Sequence, residues 1–391
     1  MSEDIERFRE EVRTFIREAL PDDLREKVRR EHAGLTPADT SRWMRILHGR
    51  GWSCPSWPVE HGGPGWSFEQ QYVFERELAL NDAPPVSVFS AGMVGPALIE
   101  FGTHEQKERF LPGLANGNII LCQGYSEPEA GSDLASLKCR ADRDGDDYVI
   151  NGSKIWTSDA SWANWMFGLF RTDSSGRKQH GITLLLVDMA TPGLTVRPIL
   201  TFEGGSELNQ VFFENVRVPV ANRLGPEHEG WSIGKYILGL ERIGSAEVSR
   251  TTAMLGRLKE IAAREPLRDG YLIDDADFSR KLVRAEIALR QVELTERRFL
   301  FGQDDAGAEA SLLKIKGTEV QQQVISLMVE ALGPYGQLDP DDMSSRDNAP
   351  LPDAAHHAAR VCFNLRKATI WGGSSEVLRN IIARSVLDLR S

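Results

Sequence analysis

At 391 residues, 41% hydrophobic and 26% charged, the sequence has the composition of a globular chain long enough for two or three domains. Its formal net charge of −11 argues against nucleic acid as a partner, although a local basic patch could still hold an anionic ligand. Cys54, Cys122, Cys139 and Cys362 form no C-x-x-C pair, the histidines show no metal spacing, and neither a signal peptide nor a membrane-spanning run is visible, so a cytoplasmic chain with reduced thiols, no metal and no membrane anchor is expected.

The chain opens on a helix over residues 3–19, with Ile5, Phe8, Val12, Phe15 and Ile16 on one face and Pro21 as its stop. Further helices are expected over 37–49, with Thr36 or Asp39 as cap, over 67–80, around 87–101, and from a Thr103 cap through Phe110 before Pro112. An irregular Gly- and Pro-rich loop spans 51–65. The character changes near Asn118. Short strands are expected at 148–150, 181–187, 194–199 and 210–216, with turn signals at 144–147 and at Asn151-Gly152. After Gly230-Trp231 four long helical segments, 232–264, 277–301, 308–332 and 354–383, suggest a bundle, with a Pro-, Asp- and Ser-rich loop over 333–352. The fold class is therefore α+β: an N-terminal helical domain (1–118), a middle β-barrel or sandwich domain (119–228) and a C-terminal four-helix bundle (229–391).

Three segments carry a resemblance: Tyr125-Ser126-Glu127-Pro128-Glu129-Ala130-Gly131-Ser132-Asp133, Asn151-Gly152-Ser153-Lys154-Ile155-Trp156-Thr157-Ser158, and Trp371-Gly372-Gly373-Ser374-Ser375-Glu376 with Arg379-Asn380 after it. Together they resemble the signature segments of the acyl-CoA dehydrogenase family, and the helix–strand–helix order agrees along the whole chain. The resemblance implies FAD held between the middle and C-terminal domains. It also implies an acyl-CoA thioester that loses its α-proton to a carboxylate and its β-hydrogen, as hydride, to flavin N5, giving a trans-2-enoyl-CoA. Electron-transfer flavoprotein is the implied acceptor. Such a base needs a raised pKa in a dry site, and the developing charge on the thioester oxygen needs stabilising.

Many relatives carry the base in the C-terminal segment, where this chain has Gly372, which has no side chain to act. A second subgroup carries it on the first long helix of the bundle, and Glu241 matches that position, in an apolar stretch flanked by small residues. The alternative is a surface carboxylate paired with an arginine. Arg242 resembles the arginine that meets CoA phosphates or adenine, which a guanidinium binds bidentately; the alternative is a surface arginine. By the same resemblance Gln123, Tyr125, Ser126, Ser132, Trp156, Thr157 and Ser158 contact the flavin, Trp156 against its ring, and Ser132 also lies near the pantetheine entry. A lone tryptophan is more often core. Trp371, Gly373, Ser374 and Glu376 are assigned to the cofactor, where N–H groups at a helix start suit phosphate or ribose, and Gly372 to the thioester carbonyl.

Two departures concern assembly. The Arg-x-x-Phe-Gly motif of many homotetrameric relatives is missing from 269–275, and a glutamine that usually precedes a Gly-Gly loop appears as Glu330. These losses resemble subunits of heterotetrameric dehydrogenases acting on steroid side chains or dicarboxylic acyl-CoAs, so a homotetramer, a homodimer and a heterotetramer with a paralogous subunit all stay open. The alternatives in function are a flavin-dependent oxidase or monooxygenase on the same fold, and a non-catalytic subunit completing a partner's FAD site. No G-x-S-x-G elbow, Walker loop or G-x-G-x-x-G fingerprint is present.

Overall fold

The computed structural model describes residues 3–31, 35–244, 246–301, 309–337 and 357–389, without the side chains of 241–243 and 309. Most of the expected loop at 333–352 lies outside the described residues. Among them, no helix is long and apolar enough to cross a membrane, and no group of three or more His, Cys, Asp or Glu could hold a metal ion. In chain order the helices are α1 (Glu3–Ala19), α2 (Asp22–Arg29), α3 (Pro37–Arg50), α4 (Phe68–Leu80), α5 (Gly95–Phe101), α6 (His104–Ala115), α7 (Gly230–Gly244), α8 (Val248–Ala262), α9 (Ala276–Phe301), α10 (Glu309–Ala331), α11 (Ala358–Asn364) and α12 (Ser375–Ser385). The chain divides into two compact units, one of Met1–Leu35, Ser67–Pro85 and Arg242–Ser391, the other of Thr36–Trp66 and Val86–Glu241.

In the first unit, α1 buries Ile5, Phe8, Val12 and Ile16, as its periodicity predicts, and packs against α4. Glu77 of α4, only 2% exposed, is held by Arg13 Nε at 2.8 Å and Arg9 Nε at 3.2 Å from α1. The rest of the unit is a helical assembly around α10, which packs on α8, α9, α11 and α12. Leu258, Ala262, Phe278, Leu282, Leu289, Val324 and Met328 lie in its core.

Two of the long helices expected from the sequence are broken. The segment 232–264 divides at Gly244–Glu247, where Glu247 takes φ 44° and starts α8. The segment 354–383 divides into α11, a short 3₁₀ turn (Leu365–Thr369) and α12, because Gly372 and Gly373 take φ 58° and 101°. The helix that Thr103 caps runs on to Ala115 through Pro112: a proline forfeits one backbone bond, and burial of Phe110, Leu111, Leu114 and Ala115 outweighs it. Thr36, Ser67 and Thr103 each close a capping box with a residue three positions on.

Where α4 meets α9, Arg76 Nη2 lies 3.2 Å from Glu293 Oε1. Glu296, one turn on, is buried, and its carboxyl is pushed up to about 7, first by burial and then by Glu75 and Glu293, against Arg76. The unfolded chain releases this proton near the ordinary 4.5, whereas the folded chain keeps it to about 7. The native state thus binds more protons inside that window, so stability falls as pH rises through it and stays lowered above it. Glu296→Gln is expected to stabilise the chain by about 2–3 kcal/mol at pH 8 and hardly at all at pH 4. Thermal unfolding at the two pH values checks this; equal shifts at both would exonerate the carboxyl.

The second unit is built on an eight-stranded sheet in the order β6-β7-β3-β2-β4-β5-β8, with β1 beside β4. Its strands are β1 (Leu121–Gly124), β2 (Arg140–Asp144), β3 (Asp147–Ser158), β4 (Trp165–Arg171), β5 (Ile182–Asp188), β6 (Leu194–Pro198), β7 (Leu208–Pro219) and β8 (Arg223–Leu224). Asn151-Gly152 is not a turn. β3 runs through it as one strand, and the register with β7 shifts there by one residue. The Asn151 side chain accepts from Asn215 N at 2.9 Å, with Asn215 at φ 51°, so the amide secures a bulge in the facing strand. Gly152 is needed because a Cβ there would stand 2.9 Å from Cys139 Cα. Around the sheet edge, a π-helical turn (Val88–Val94) leads into α5 and is fixed by Trp57 Nε1 donating to Ala91 O at 2.8 Å.

Candidate functional site

In the second unit, β1 delivers Gln123 and Tyr125 to a loop that β3 then fastens. Glu127 is buried at 8% exposure and accepts three donors: Lys138 N at 2.6 Å, Cys139 N at 2.9 Å and Lys154 Nζ at 2.7 Å. Lys154 is wholly buried and also donates to Tyr125 O at 3.2 Å, while Ile155 N donates to Ser126 O at 2.9 Å. The structure thus brings Gln123, Tyr125, Ser126, Trp156, Thr157 and Ser158 together along two neighbouring stretches of chain. Ser132, further along the loop, is exposed.

Trp156 departs from both the strand and the core. A second register shift lies between Lys154 and Thr157, Trp156 takes φ 60°, and its side chain is 56% exposed. A bulky residue in the left-handed region is strained, and such strain persists where the surroundings impose it. Here the flanking bonds of Lys154 and Ile155 impose it. The bulge turns a large flat apolar surface outward, the wrong arrangement for a core tryptophan and the right one for an aromatic wall.

Beside it, Thr157 is fully buried and its Oγ1 has no hydrogen-bond partner; Gln123 Nε2 is likewise buried and unpartnered. Buried polar atoms left this way cost free energy unless a ligand or water meets them. A planar aromatic ligand with hydrogen-bonding edges fits this combination. An isoalloxazine ring is such a ligand, so these residues fit FAD.

In the same unit a cavity of about 470 Å³ is lined by Ser136, Lys138, Arg140, Arg171 and Lys178, among others. Arg171 donates to the carbonyls of Ala135, Leu137, Lys178 and His180, which stiffens the walls. Lys138, Arg140 and Lys178 pair with Glu129, Asp142 and Asp133 at its rim. Its basic side chains are thus already met by carbonyls and carboxylates.

In the first unit, Trp371, Gly372 and Gly373 form the turn before α12. Lys314 of α10, 1% exposed, donates to Trp371 O and, at 2.7 Å, to Gly373 O. Lys367 sits 5.5 Å over the Trp371 ring. Ser374 caps α12, accepting from Val377 N. The Glu376 carboxyl is held below the usual range by its own backbone N–H and by the Ser374 side chain, which disfavours it as a proton acceptor near neutrality. Glu241 and Arg242 lie in the last turn of α7; their side chains are outside the described residues.

Sequence reading gave no role to Glu127, Lys154 or Lys314. Lys154 and Glu127 stand within the quoted motifs, but only a lysine in a strand otherwise alternating in burial hinted at a buried ammonium. Lys314 offers a fainter signal still: a cation amid apolar helix positions.

Three family models match the chain in order: acyl-CoA dehydrogenase N-terminal domain over residues 2–118, middle domain over 122–216 and C-terminal domain over 228–387. Acyl-CoA dehydrogenase IpdE1 of Mycobacterium tuberculosis is 34% identical over 397 residues, covering 99% of this chain and 98% of its own. Acyl-CoA dehydrogenase FadE26 of the same organism is 34% identical, covering 98% and 96%. Among solved structures, the Tcur3481-Tcur3483 steroid ACAD superposes with a TM-score of 0.86 at 31% identity, over 100% of this chain and 98% of that one. The ChsE4-ChsE5 complex from Mycobacterium tuberculosis gives 0.85 at 31%, over 100% and 99%.

Proposed function

Because this chain belongs to the acyl-CoA dehydrogenase family, and is therefore an FAD-dependent oxidoreductase, we propose that it converts an acyl-CoA thioester to the trans-2-enoyl-CoA, with Glu241 removing the α-proton. FAD, when bound, supplies the two-electron acceptor for the β-hydrogen. The pattern that carries the base assignment is reciprocal: glycine at 372, where many relatives place the acid, and a glutamate at 241, where the second subgroup places it. The lowered carboxyl of Glu376 disfavours it as the base in the C-terminal segment.

The remaining roles follow the chemistry of each group. Trp156 supplies the wall for the flavin, and Gln123 and Thr157 offer its polar edges a partner. Tyr125, Ser126 and Ser158 complete that surface. Trp371, Gly373, Ser374 and Glu376 serve the cofactor at the start of α12, with Gly372 N–H toward the thioester carbonyl. Ser132 stands at the pantetheine entry, and Arg242 serves CoA phosphates. Bulk at the acyl end is favoured by the π-helical turn at 88–94, where Gly92 has open space around it, and by relatives whose names refer to steroids. We propose a bulky, steroid-type acyl-CoA as substrate, in lipid breakdown in the cytoplasm, and electron-transfer flavoprotein as acceptor.

For assembly we favour a heterotetramer with a paralogous subunit over a homo-oligomer. The absence of Arg-x-x-Phe-Gly from 269–275 and the paired components of both structural relatives support it. The division into 1–118, 119–228 and 229–391 remains our proposal for the domains.

The test is anaerobic mixing of the purified flavoprotein, alone and with a co-expressed paralogue, with straight-chain, branched, dicarboxylic and steroid-type acyl-CoAs. Bleaching of the flavin band by the steroid-type thioesters, with an enoyl-CoA product, is expected. Rapid reoxidation by oxygen without electron-transfer flavoprotein would point to an oxidase instead, and bleaching by short straight chains alone would overturn the substrate class.

A further inference from the structure

Three residues on one face of α10, spaced by three and then four positions, meet two other pieces of chain in the first unit. Lys314 donates to the carbonyls of Trp371 and Gly373. Gly317 lies where any Cβ would stand 2.5 Å from Ala246 O and 2.7 Å from Ala246 Cα. Gln321, 2% exposed, donates through Nε2 to Glu247 Oε2 at 2.6 Å. The helical repeat puts these positions one above another.

Ala246 and Glu247 form the corner between α7 and α8. Glu247 is in the left-handed region, φ 44° and ψ 39°, a conformation a side-chain-bearing residue keeps only when its surroundings fix it. They do so from every side. Glu247 N donates to Gly244 O at 3.1 Å, and its carbonyl accepts from Thr251 N and Thr251 Oγ1, both at 2.9 Å. Arg250 Nη1 joins Gln321 on the carboxylate at 3.0 Å, and Arg250 Nη2 reaches Glu31 O at 3.3 Å.

We propose that the Lys314–Gly317–Gln321 face of α10 is a positioning element for the active site, fixing the corner that ends the Glu241–Arg242 helix in register with the Trp371–Gly373 turn. Gln321 and Lys314 act through the backbone they hold and touch no substrate. The inference rests on the reading of Glu241 and the glycine turn as substrate-facing. The corner closes the helix that carries Glu241, and a misplacement of about 1 Å in a reacting group can lower the rate roughly 10²-fold.

The test uses the full chain. Gln321→Met keeps the volume and removes the donor; Gly317→Ala removes no side-chain bond but forces the corner's backbone away, and thermal unfolding of both variants separates lost folding from lost positioning. Either is expected to lower the maximal rate of flavin reduction by acyl-CoA about 10–100-fold with the half-saturating concentration shifted less than about threefold. In the flavin-free protein, amide hydrogen exchange should accelerate at 246–251. Added to Glu241→Gln, Gln321→Met should cause no further loss. Wild-type reduction rates in both variants, or losses that multiply with that of Glu241→Gln, would overturn the proposal. If Glu241→Gln itself reduces at the wild-type rate, the base assignment fails; amide exchange at 246–251 left unchanged by Gln321→Met would separately overturn the positioning role.

Discussion

Replacing Glu241 with glutamine is expected to slow reduction of the bound flavin by acyl-CoA about 10³-fold, within the usual contribution of a positioned general base. Glutamine keeps the shape of the side chain and cannot accept a proton. The flavin should stay bound, because its proposed contacts come from β1, the loop after it, β3 and the start of α12. Substrate affinity should change little, since the acyl-CoA is held by its nucleotide, pantetheine and thioester carbonyl. The loss therefore belongs in kcat and equally in kcat/KM, the signature of an interaction made only in the transition state. Glu241→Asp, shorter by one methylene, should fall between the two. Stopped-flow absorbance under anaerobic conditions reads all three. Equal bleaching in wild type and Glu241→Gln would remove Glu241 from the mechanism.

The same substitution separates the readings of the fold. A chain that only completed a partner's FAD site would show no effect of Glu241→Gln in the assembled complex. An oxidase would lose reduction but keep a fast reaction of photoreduced flavin with oxygen. In a dehydrogenase, reduction is lost and the photoreduced flavin reacts only slowly with oxygen, before and after the substitution.

Local pattern made the framework legible, and distant carbonyls made the rest illegible. The α1 stripe could be read because Ile5, Phe8, Val12 and Ile16 bury at helical spacing. The break at Gly244–Glu247 could not, because nothing in Glu247 itself prefers the left-handed region; Gln321 holds its carboxylate from α10, with Arg250 joining from three positions on. Asn151-Gly152 has the look of a hairpin turn, yet the glycine answers to Cys139 on the neighbouring strand, a contact no window of sequence contains. Trp156 was singled out by its motif, whereas its exposure and positive φ are properties of a bulge that needs β7 to exist. Lys154 and Lys314 are the clearest blind spots. A buried lysine is intelligible only through its acceptors, and these lie 27 positions away at Glu127 and 59 away at Gly373.

Lys154→Met is expected to destabilise the second unit by about 3 kcal/mol and to weaken flavin binding, the largest stability effect anticipated at the site. The ammonium is fully buried, 2.7 Å from Glu127 Oε1, and removing one member of such a pair leaves the other's charge uncompensated in a poorly solvating interior. Two backbone donors, Lys138 N and Cys139 N, still meet the carboxylate, which keeps the loss at the low end of the roughly 3–5 kcal/mol range for broken buried pairs. Methionine matches the stem in volume, so the loss is electrostatic and not a cavity. Tyr125 O also loses its donor, and the strand segment that presents Trp156 loses two of its three ties to the loop, keeping Ile155 N to Ser126 O. Flavin affinity should therefore fall along with stability. Glu127→Gln, which strands the ammonium instead, should cost about as much, and the double variant much less than the sum, because two neutral groups replace two charges. Denaturant unfolding of the four flavin-free proteins measures the coupling, and titration with FAD measures the affinity. Additive losses would show that the pair is not a unit, and unchanged FAD affinity in Lys154→Met would separate the buried pair from the flavin surface.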